Sequence, residues 1–375
     1  MNHIKPANGF PLVDRKDLAN ARRVVVKVGT SAFVDRQGLA SERVRTLVDD
    51  IVSLVWRGID VIVVSSGAIP FGMEALRLKE RPRDLNTLQA IAAVGQSLLM
   101  KGYEEGFGAH NINVAQVLLT ADDVTDRRRY VNVRNTVLTL FNLGVVPVVN
   151  ENDTIAVDEI RYGDNDKLSA HVAVAVEADL LILLSGSDGL LGPGRDGARV
   201  PVVEEVTPVV ERQARRHPKA KLASKVKASR IATHAGIPVV MLHHSTERAC
   251  EMVVDGEDLG TLFKPQKPLE GRFTWLLFSS RPKGVLRVDA GAKSALTSRQ
   301  CSLLPSGVIE VEGTFRKGDT VSLAGPDGEE FARGIVNYTS RDAAKIAGLQ
   351  TDEIAGVLGK ESYKELVNSH NLVVL

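Results

Sequence analysis

A single lysine interrupts a run of valines in Val24-Val25-Val26-Lys27-Val28-Gly29-Thr30-Ser31. An ammonium inside a strand that is otherwise apolar is costly unless it is paired. Here it lies two residues before a glycine turn. Backbone N–H groups opened by such a turn can approach phosphate oxygens, and the cation can neutralise charge on a group in transfer. Val63-Val64-Ser65-Ser66-Gly67-Ala68-Ile69 repeats the pattern of a strand running into small residues, where Ser66 and Gly67 can offer hydroxyl and N–H donors to an anion. The densest polar cluster is Asn150-Glu151-Asn152-Asp153-Thr154, followed by Gly163-Asp164-Asn165-Asp166-Lys167. Carboxylates and amides there can grip an ammonium group, orient a lysine or hold Mg²⁺.

Each motif also has a plain structural reading. Lys27 can snorkel from an edge strand, Ser66 can cap a helix that a glycine packs against, and Asx-rich turns account for some of the polar cluster. Between Arg212 and Arg230 lie eight Lys or Arg and no acid. That stretch is either a phosphate-holding surface or a solvated helix face.

The elements around these residues alternate. Val24–Val28, Val61–Val64, Val114–Leu119, Val145–Val149, Leu180–Leu184 and Val239–Leu242 are short, continuous apolar runs, the signature of strands buried on both faces of a parallel sheet. Between them fall helical patterns over Ser41–Trp56, Leu85–Tyr103, Val131–Leu143, Leu168–Ala175 and Lys221–Ala235. Alternation of this kind predicts an α/β sandwich with helices on both faces. Polar loops that follow buried strands then sit where such sheets bind ligands. The texture changes at Lys264-Pro265-Gln266-Lys267-Pro268. Beyond it short strands are expected over Gly284–Val288, Gly307–Val311, Asp319–Leu323 and Phe331–Val336, with a hairpin turn at Gly325-Pro326-Asp327-Gly328. The predicted organisation is an N-terminal extension over 1–21 that is partly ordered at best, a first domain over 22–263, a linker over 264–282 and a small β-rich domain over 283–375.

Composition narrows the function classes. The 375 residues are 44% hydrophobic and 25% charged with a net charge of +1, which gives no global case for nucleic acid or acidic membranes. No apolar run is long enough for a membrane helix, and the N-terminus does not read as a signal peptide. The two cysteines, Cys250 and Cys301, form neither a disulfide framework nor a metal-ligand pattern, so a reducing cytoplasm is expected and no residue set is assigned to a resident metal. Residues 283–375 carry 11 basic and 12 acidic side chains, which argues against RNA binding by the second domain.

Taken together, VVVKVGTS, VSSGAIPFG, AIAAVGQ, RRYVNVRNT, VVPVVNENDT and YGDNDKLSA resemble the glutamate 5-kinase family of the amino-acid kinase superfamily. The tail segments Asp289-Ala290-Gly291-Ala292, Ser302 to Gly307, Val311 to Phe315 and Asn337 to Ser340 are similar to a PUA domain. The resemblance implies a three-layer α/β sandwich with a mostly parallel sheet, then a β-rich PUA domain. It implies transfer of the ATP γ-phosphoryl group to the glutamate side-chain carboxylate with Mg²⁺ present, the first step towards proline. It further implies a homo-oligomer, with the next enzyme of proline synthesis as a partner. Carried over by position, Lys27, Asp166 and Lys225 are the catalytic residues, Asp166 organising the two lysines. Ser66, Gly67, Asp153, Asp164 and Asn165 hold the acceptor. Lys27, Gly29, Thr30, Ser185, Gly186, Lys221, Ser224 and Lys225 form the ATP side.

Two nucleotide-side motifs depart from the family. Ser185-Gly186 stands where Thr-Asp is usual, and Lys221-Leu222-Ala223-Ser224-Lys225 replaces a glycine-rich loop. Those changes keep two further readings open: a degenerate paralogue acting as a ligand-binding regulatory subunit, and a kinase for another small carboxylate.

Overall fold

The structure is a computed structural model that describes residues 12–35, 38–39, 41–155, 165–192, 197–216, 222–266, 276, 282–299, 301–359 and 363–374. The chain divides into two compact units, 1–269 and 270–375. In the first, strand β1 (Arg23–Val28) leads through a small hairpin, β2 (Val34–Asp35) and β3 (Gly38–Leu39), to helix α1 (Ser41–Trp56). There follow β4 (Asp60–Ser65), α2 (Ala68–Ala75), α3 (Leu85–Gly108), β5 (Asn113–Leu119), α4 (Ala121–Thr125), α5 (Arg127–Asn142), β6 (Val145–Glu151) and α6 (Asp166–Ala175). The unit continues with β7 (Leu180–Ser185), β8 (Val202–Val203), α7 (Pro208–Arg216), α8 (Leu222–His234), β9 (Val239–His243), α9 (Ala249–Val254) and β10 (Thr261–Phe263).

Eight of these strands form one sheet in the order β5-β6-β4-β1-β7-β9-β10-β8. Every neighbouring pair is parallel except β10 with β9. The six apolar runs picked out by composition all lie in it. Val24, Val26 and Val28 of β1 enter a core with Val48, Ile51, Leu99 and Val253, contributed by α1, α3 and α9. The intervening residues of β1 face the other side, where α6 packs on β1 and α8 packs on α6. Strand alternation thus sends Lys27 to the α6 and α8 side while its valine neighbours fill the opposite core. Several elements went unread in the sequence, among them the β2–β3 hairpin and the helices α4, α7 and α9. The edge strands β8 and β10 are only two and three residues long. Residues 15–20, in the segment expected to be partly ordered at best, form a 3₁₀ helix. Its Arg15 guanidinium donates to the carbonyls of Leu259 (2.7 Å), Gly260 (3.0 Å) and Pro201 (3.0 Å), which holds the segment to the β8–β10 edge.

The second unit carries β11 (Gly284–Val288), β12 (Val308–Gly313), β13 (Thr320–Ala324), β14 (Glu330–Val336) and β15 (Val367–Val374) in the order β12-β11-β13-β14-β15. Its own core includes Leu286, Phe315, Leu323, Val336 and Leu366. The predicted Gly325–Gly328 turn joins β13 to β14, with Gly328 at φ +79° and its N–H on the Gly325 carbonyl at 2.9 Å. Strand β15 and the helices Ala290–Arg299 and Ser340–Ile346 were not anticipated. Among the described residues no helix is long and apolar enough to cross a membrane.

Helices α2 and α3 meet backbone to backbone. A Cβ built on Gly95 would stand 1.7 Å from the Ala68 carbonyl oxygen and 2.3 Å from the Gly72 nitrogen, and one on Gly72 would stand 1.9 Å from the Ile91 carbonyl oxygen. Neither neighbour is a side chain that can turn aside. Gly95→Ala is therefore expected to destabilise the first unit by about 3 kcal/mol, as overpacked sites do. The measurement is the urea midpoint of that unit, and a midpoint equal to the parent's would contradict the close approach.

Candidate active site

The site is assembled at the carboxyl ends of β1, β4, β6 and β7. At its centre lies Asp166, the first residue of α6 and 0% exposed. One carboxylate oxygen pairs with the Lys27 ammonium and the other with Lys225 Nζ at 3.1 Å. Lys27 is 1% exposed and Lys225 6%. Two buried cations thus converge on one carboxylate. A carboxylate at a helix N-terminus is also favoured by the helix dipole. Lys225 reaches it from the first turns of α8, whose predicted helical pattern begins within one residue of the observed start at Leu222. The edge-snorkelling alternative for Lys27 is excluded, because β1 is a central strand flanked by β4 and β7.

Beside this charged centre is a relay of neutral amides. Asn165 caps the start of α6, and its Nδ2 donates to the Ser65 carbonyl (2.5 Å) and to Asn150 Oδ1 (2.6 Å). Asn150 Oδ1 also accepts the Glu151 N–H at 2.8 Å, and Asn150 Nδ2 donates to Gln96 Oε1 at 2.6 Å. Ser65 Oγ and Tyr103 OH are 2.9 Å apart, and burial pushes the Tyr103 phenol above its ordinary range. Next to Ser65, the Ser66 hydroxyl is buried with no hydrogen-bond partner among the described residues. Gly67 then turns at φ +129° into α2, and a Cβ there would meet the Phe33 ring at 3.0 Å. Only a glycine makes that turn without strain.

Asp153 lies in the turn after β6, set by Asn152, whose N–H reaches the Leu119 carbonyl at 2.7 Å. Burial raises the Asp153 carboxyl to about 6, against a smaller opposing pull from Arg81. Asp164 falls outside the described residues. The structure thus brings Ser66, Gly67, Asn165 and the Lys27–Asp166–Lys225 cluster together, with Asp153 on the loop that leaves β6.

On the nucleotide-side set, Gly29 follows β1, and its N–H is held by the Leu184 carbonyl at 3.3 Å. The amide donors of this turn are accordingly those of Thr30 and Ser31, which open a 3₁₀ turn and have no intrahelical acceptor. Gly186 stands exposed across from Ser31, whose Oγ would lie 3.6 Å from a Cβ at that position. The Ser185 hydroxyl donates to the Ser187 carbonyl at 3.0 Å and accepts the Ser187 N–H at 3.1 Å, so it shapes the turn. Ser224 is half-buried in the first turn of α8. Lys221 falls outside the described residues. Part of the basic stretch is locally paired: Arg230 and Arg215 both reach Glu211, at 3.3 and 3.8 Å. Gln96, Asn150 and Tyr103 were not assigned to the site from sequence. The signal for Gln96 was a polar residue beside the buried stripe Leu88, Ile91, Ala92, Gly95 and Leu99 of α3.

Among the described residues no group of three or more His, Cys, Asp or Glu is placed to hold a metal. Both Asp166 oxygens are already engaged by lysines.

Comparison with known proteins gives a consistent picture. Residues 22–243 match the family model described as amino acid kinase family, and residues 284–358 match the PUA domain. The glutamate 5-kinase of Moorella thermoacetica is 45% identical over 371 residues, covering 96% of this chain and 98% of that protein. The glutamate 5-kinase of Carboxydothermus hydrogenoformans is 44% identical, with 96% and 100% covered. That of Thermus thermophilus is 42% identical, with 95% and 98% covered.

The raised carboxyl of Asp153 has a consequence for stability. Its folded value of about 6 lies above the ordinary 3.8, so the native state holds the proton more tightly than the unfolded chain. Below pH 4 both states are protonated and that preference is fully present. Above pH 6 the native state carries a poorly solvated charge, at a cost on the order of 2 kcal/mol. Asp153→Asn should therefore raise the melting temperature at pH 7–8, with the gain closing as pH falls towards 4. A gain independent of pH would contradict the assignment of this carboxyl.

Proposed function

Starting from the premise that the chain belongs to the amino acid kinase family, with a C-terminal PUA domain, we propose that it transfers the γ-phosphoryl group of ATP to the side-chain carboxylate of glutamate. The observation that carries this reading is the buried pair of lysines on one carboxylate, which fixes two ammonium groups at the place where two anions would have to meet. The glutamate 5-kinase relatives, aligned over nearly their whole length, support the choice of acceptor.

The chemistry requires little beyond placement and charge. A glutamate side chain is ionised at neutral pH, so the attacking oxygen needs no general base. Transfer passes through a loose phosphoryl group whose charge is stabilised by cations and by oriented donors. In this reading Lys27 and Lys225 face the transferring phosphoryl, and Asp166 fixes both ammoniums and limits their repulsion. Ser66, Gly67 and Asn165 hold the acceptor on the β4 and β6 side, and Asp153 faces its α-ammonium. Thr30, Ser31, Gly186 and the start of α8 with Ser224 hold the nucleotide on the β7 side. Mg²⁺ fits as an ion that arrives on the ATP phosphates, since the described residues offer no cage of their own and Mg²⁺ in kinases is held largely by phosphate and water. The product is an acyl phosphate, the activated form that proline synthesis starts from. Both cysteines are free thiols, in keeping with a reducing cytoplasm.

The test is direct. Purified protein with ATP, Mg²⁺ and glutamate should consume ATP and, with hydroxylamine present, yield the glutamyl hydroxamate. ATP-independent glutamate binding with no hydroxamate would favour a regulatory, non-transferring protein instead. Lys27→Met should lower kcat by about 10²–10³, the usual loss for one transition-state charge contact, while glutamate still binds in calorimetry; near-normal turnover would remove Lys27 from the reaction. Chelation of Mg²⁺ by EDTA should abolish turnover yet leave the melting temperature of the ligand-free protein unchanged. A drop in that temperature would point to a resident structural metal.

A further inference from the structure

The amide relay ends on an unanswered donor. Glu151 N–H can only donate, and it donates to one side-chain atom of Asn150, which must therefore be the oxygen. The other side-chain atom of Asn150 is then its NH₂ group, and it donates to Gln96, which must present Oε1. No choice of amide orientation remains along the chain. Gln96 Nε2 consequently points away from Asn150, and it is buried with no hydrogen-bond partner among the described residues, as is the Ser66 hydroxyl. An unanswered buried donor is unfavourable, and sites that bind polar ligands are where such groups persist.

The two orphans share a neighbourhood. Gly95, adjacent to Gln96, is pressed against the Ala68 carbonyl, two residues after Ser66. Asn165 links the Ser65 carbonyl to Asn150, which holds Gln96. Gln96 belongs to the β6 side of this group, and β6 is the second strand from β1, which carries Lys27. Strand spacing puts that side roughly 10 Å from the charged centre. The two carboxyl carbons of an extended glutamate are separated by three carbons, about 5 Å by ordinary bond lengths. If the reacting carboxylate lies at Lys27, its far end extends towards Gln96. An N–H donor there answers a carboxylate and repels an ammonium.

We infer that Gln96 is a specificity-determining residue that donates Nε2–H to the α-carboxylate of the amino-acid acceptor, beside Asp153, whose carboxylate answers the α-ammonium. This rests on the reading of the chain as an acceptor-carboxylate kinase. It adds a residue that selects α-amino acids over simple ω-carboxylates.

The replacement Gln96→Glu isolates the donor, because one carboxylate oxygen still accepts from Asn150 while the NH₂ becomes a second oxygen. Calorimetric affinities, or competition constants, are measured on the full chain for three probes: glutamate, glutarate (no ammonium) and 4-aminobutyrate (no α-carboxylate). The variant should bind glutamate and glutarate about 30- to 100-fold more weakly, the scale of a lost charge-assisted hydrogen bond with added repulsion, and 4-aminobutyrate within threefold of the parent. Equal weakening of all three would mean Gln96 only supports the fold, and unchanged glutamate affinity would also overturn the inference. If the parent itself fails to bind glutamate, both this inference and the proposed function fall; if the parent binds and the variant binds equally well, only this inference falls. Should Gln96→Glu not fold, Gln96→Met removes the same donor and is judged by the same three-probe pattern.

Discussion

The organisation of the first unit turns on a carboxylate buried between two ammonium groups. Asp166 is fully out of solvent, and each of its oxygens meets one lysine. A single ion pair buried this deeply is close to energetic balance, because desolvation offsets the mutual attraction. A second lysine on the same carboxylate brings two ammonium groups to one point, an arrangement suited to a bound polyanion. The three residues come from the central strand β1, from the start of α6 and from the start of α8, so the cluster also joins the sheet to the layer that covers it. Loss of Asp166 would leave two buried like charges facing one another. That is why one aspartate can govern both the geometry and the electrostatics of the centre.

Around this centre the two halves of the site use different physics. The β4 and β6 side is built from neutral amides, hydroxyls and a turning glycine, with donors and acceptors assigned in sequence from Glu151 N–H outwards. Neutral groups in a dry relay have fixed directions and discriminate by leaving partners unmet. The β7 side has Thr30, Ser31, Gly186 and the opening turn of α8, groups suited to a flexible, highly charged phosphate chain. The Gly72–Gly95 approach links the first half to the scaffold. By bringing α2 and α3 into backbone contact it sets Gln96 beside the residues that follow β4.

Elements outside these halves have more structural tasks. Arg15 converts the segment ahead of β1 into a clasp on the short β8–β10 edge, where two- and three-residue strands have few hydrogen bonds of their own. The second unit is closed around its own core and has a nearly balanced charge, so it has the makings of a separately packed module.

Much of this was determined by the sequence alone. Continuous apolar runs specify strands buried on both faces, and helical periodicity specifies the covering layers, because both patterns follow from local geometry and the removal of apolar surface from water. The same logic marked Lys27 as exceptional and the residues after β6 as a polar loop. The short edge strands were not legible, since two or three residues carry no period, and neither was the Arg15 clasp, whose acceptors are backbone carbonyls of unremarkable type more than 180 residues away. The family resemblance already implied that Asp166 organises Lys27 and Lys225; the tertiary structure gave each lysine its own carboxylate oxygen, Lys225 from 59 positions away, and only it decided that Gln96 completes an amide relay with an NH₂ to spare. Pairing of distant polar groups is set by where strands and helices come to rest. A sequence states which donors and acceptors exist, and packing decides which of them find one another in the absence of water.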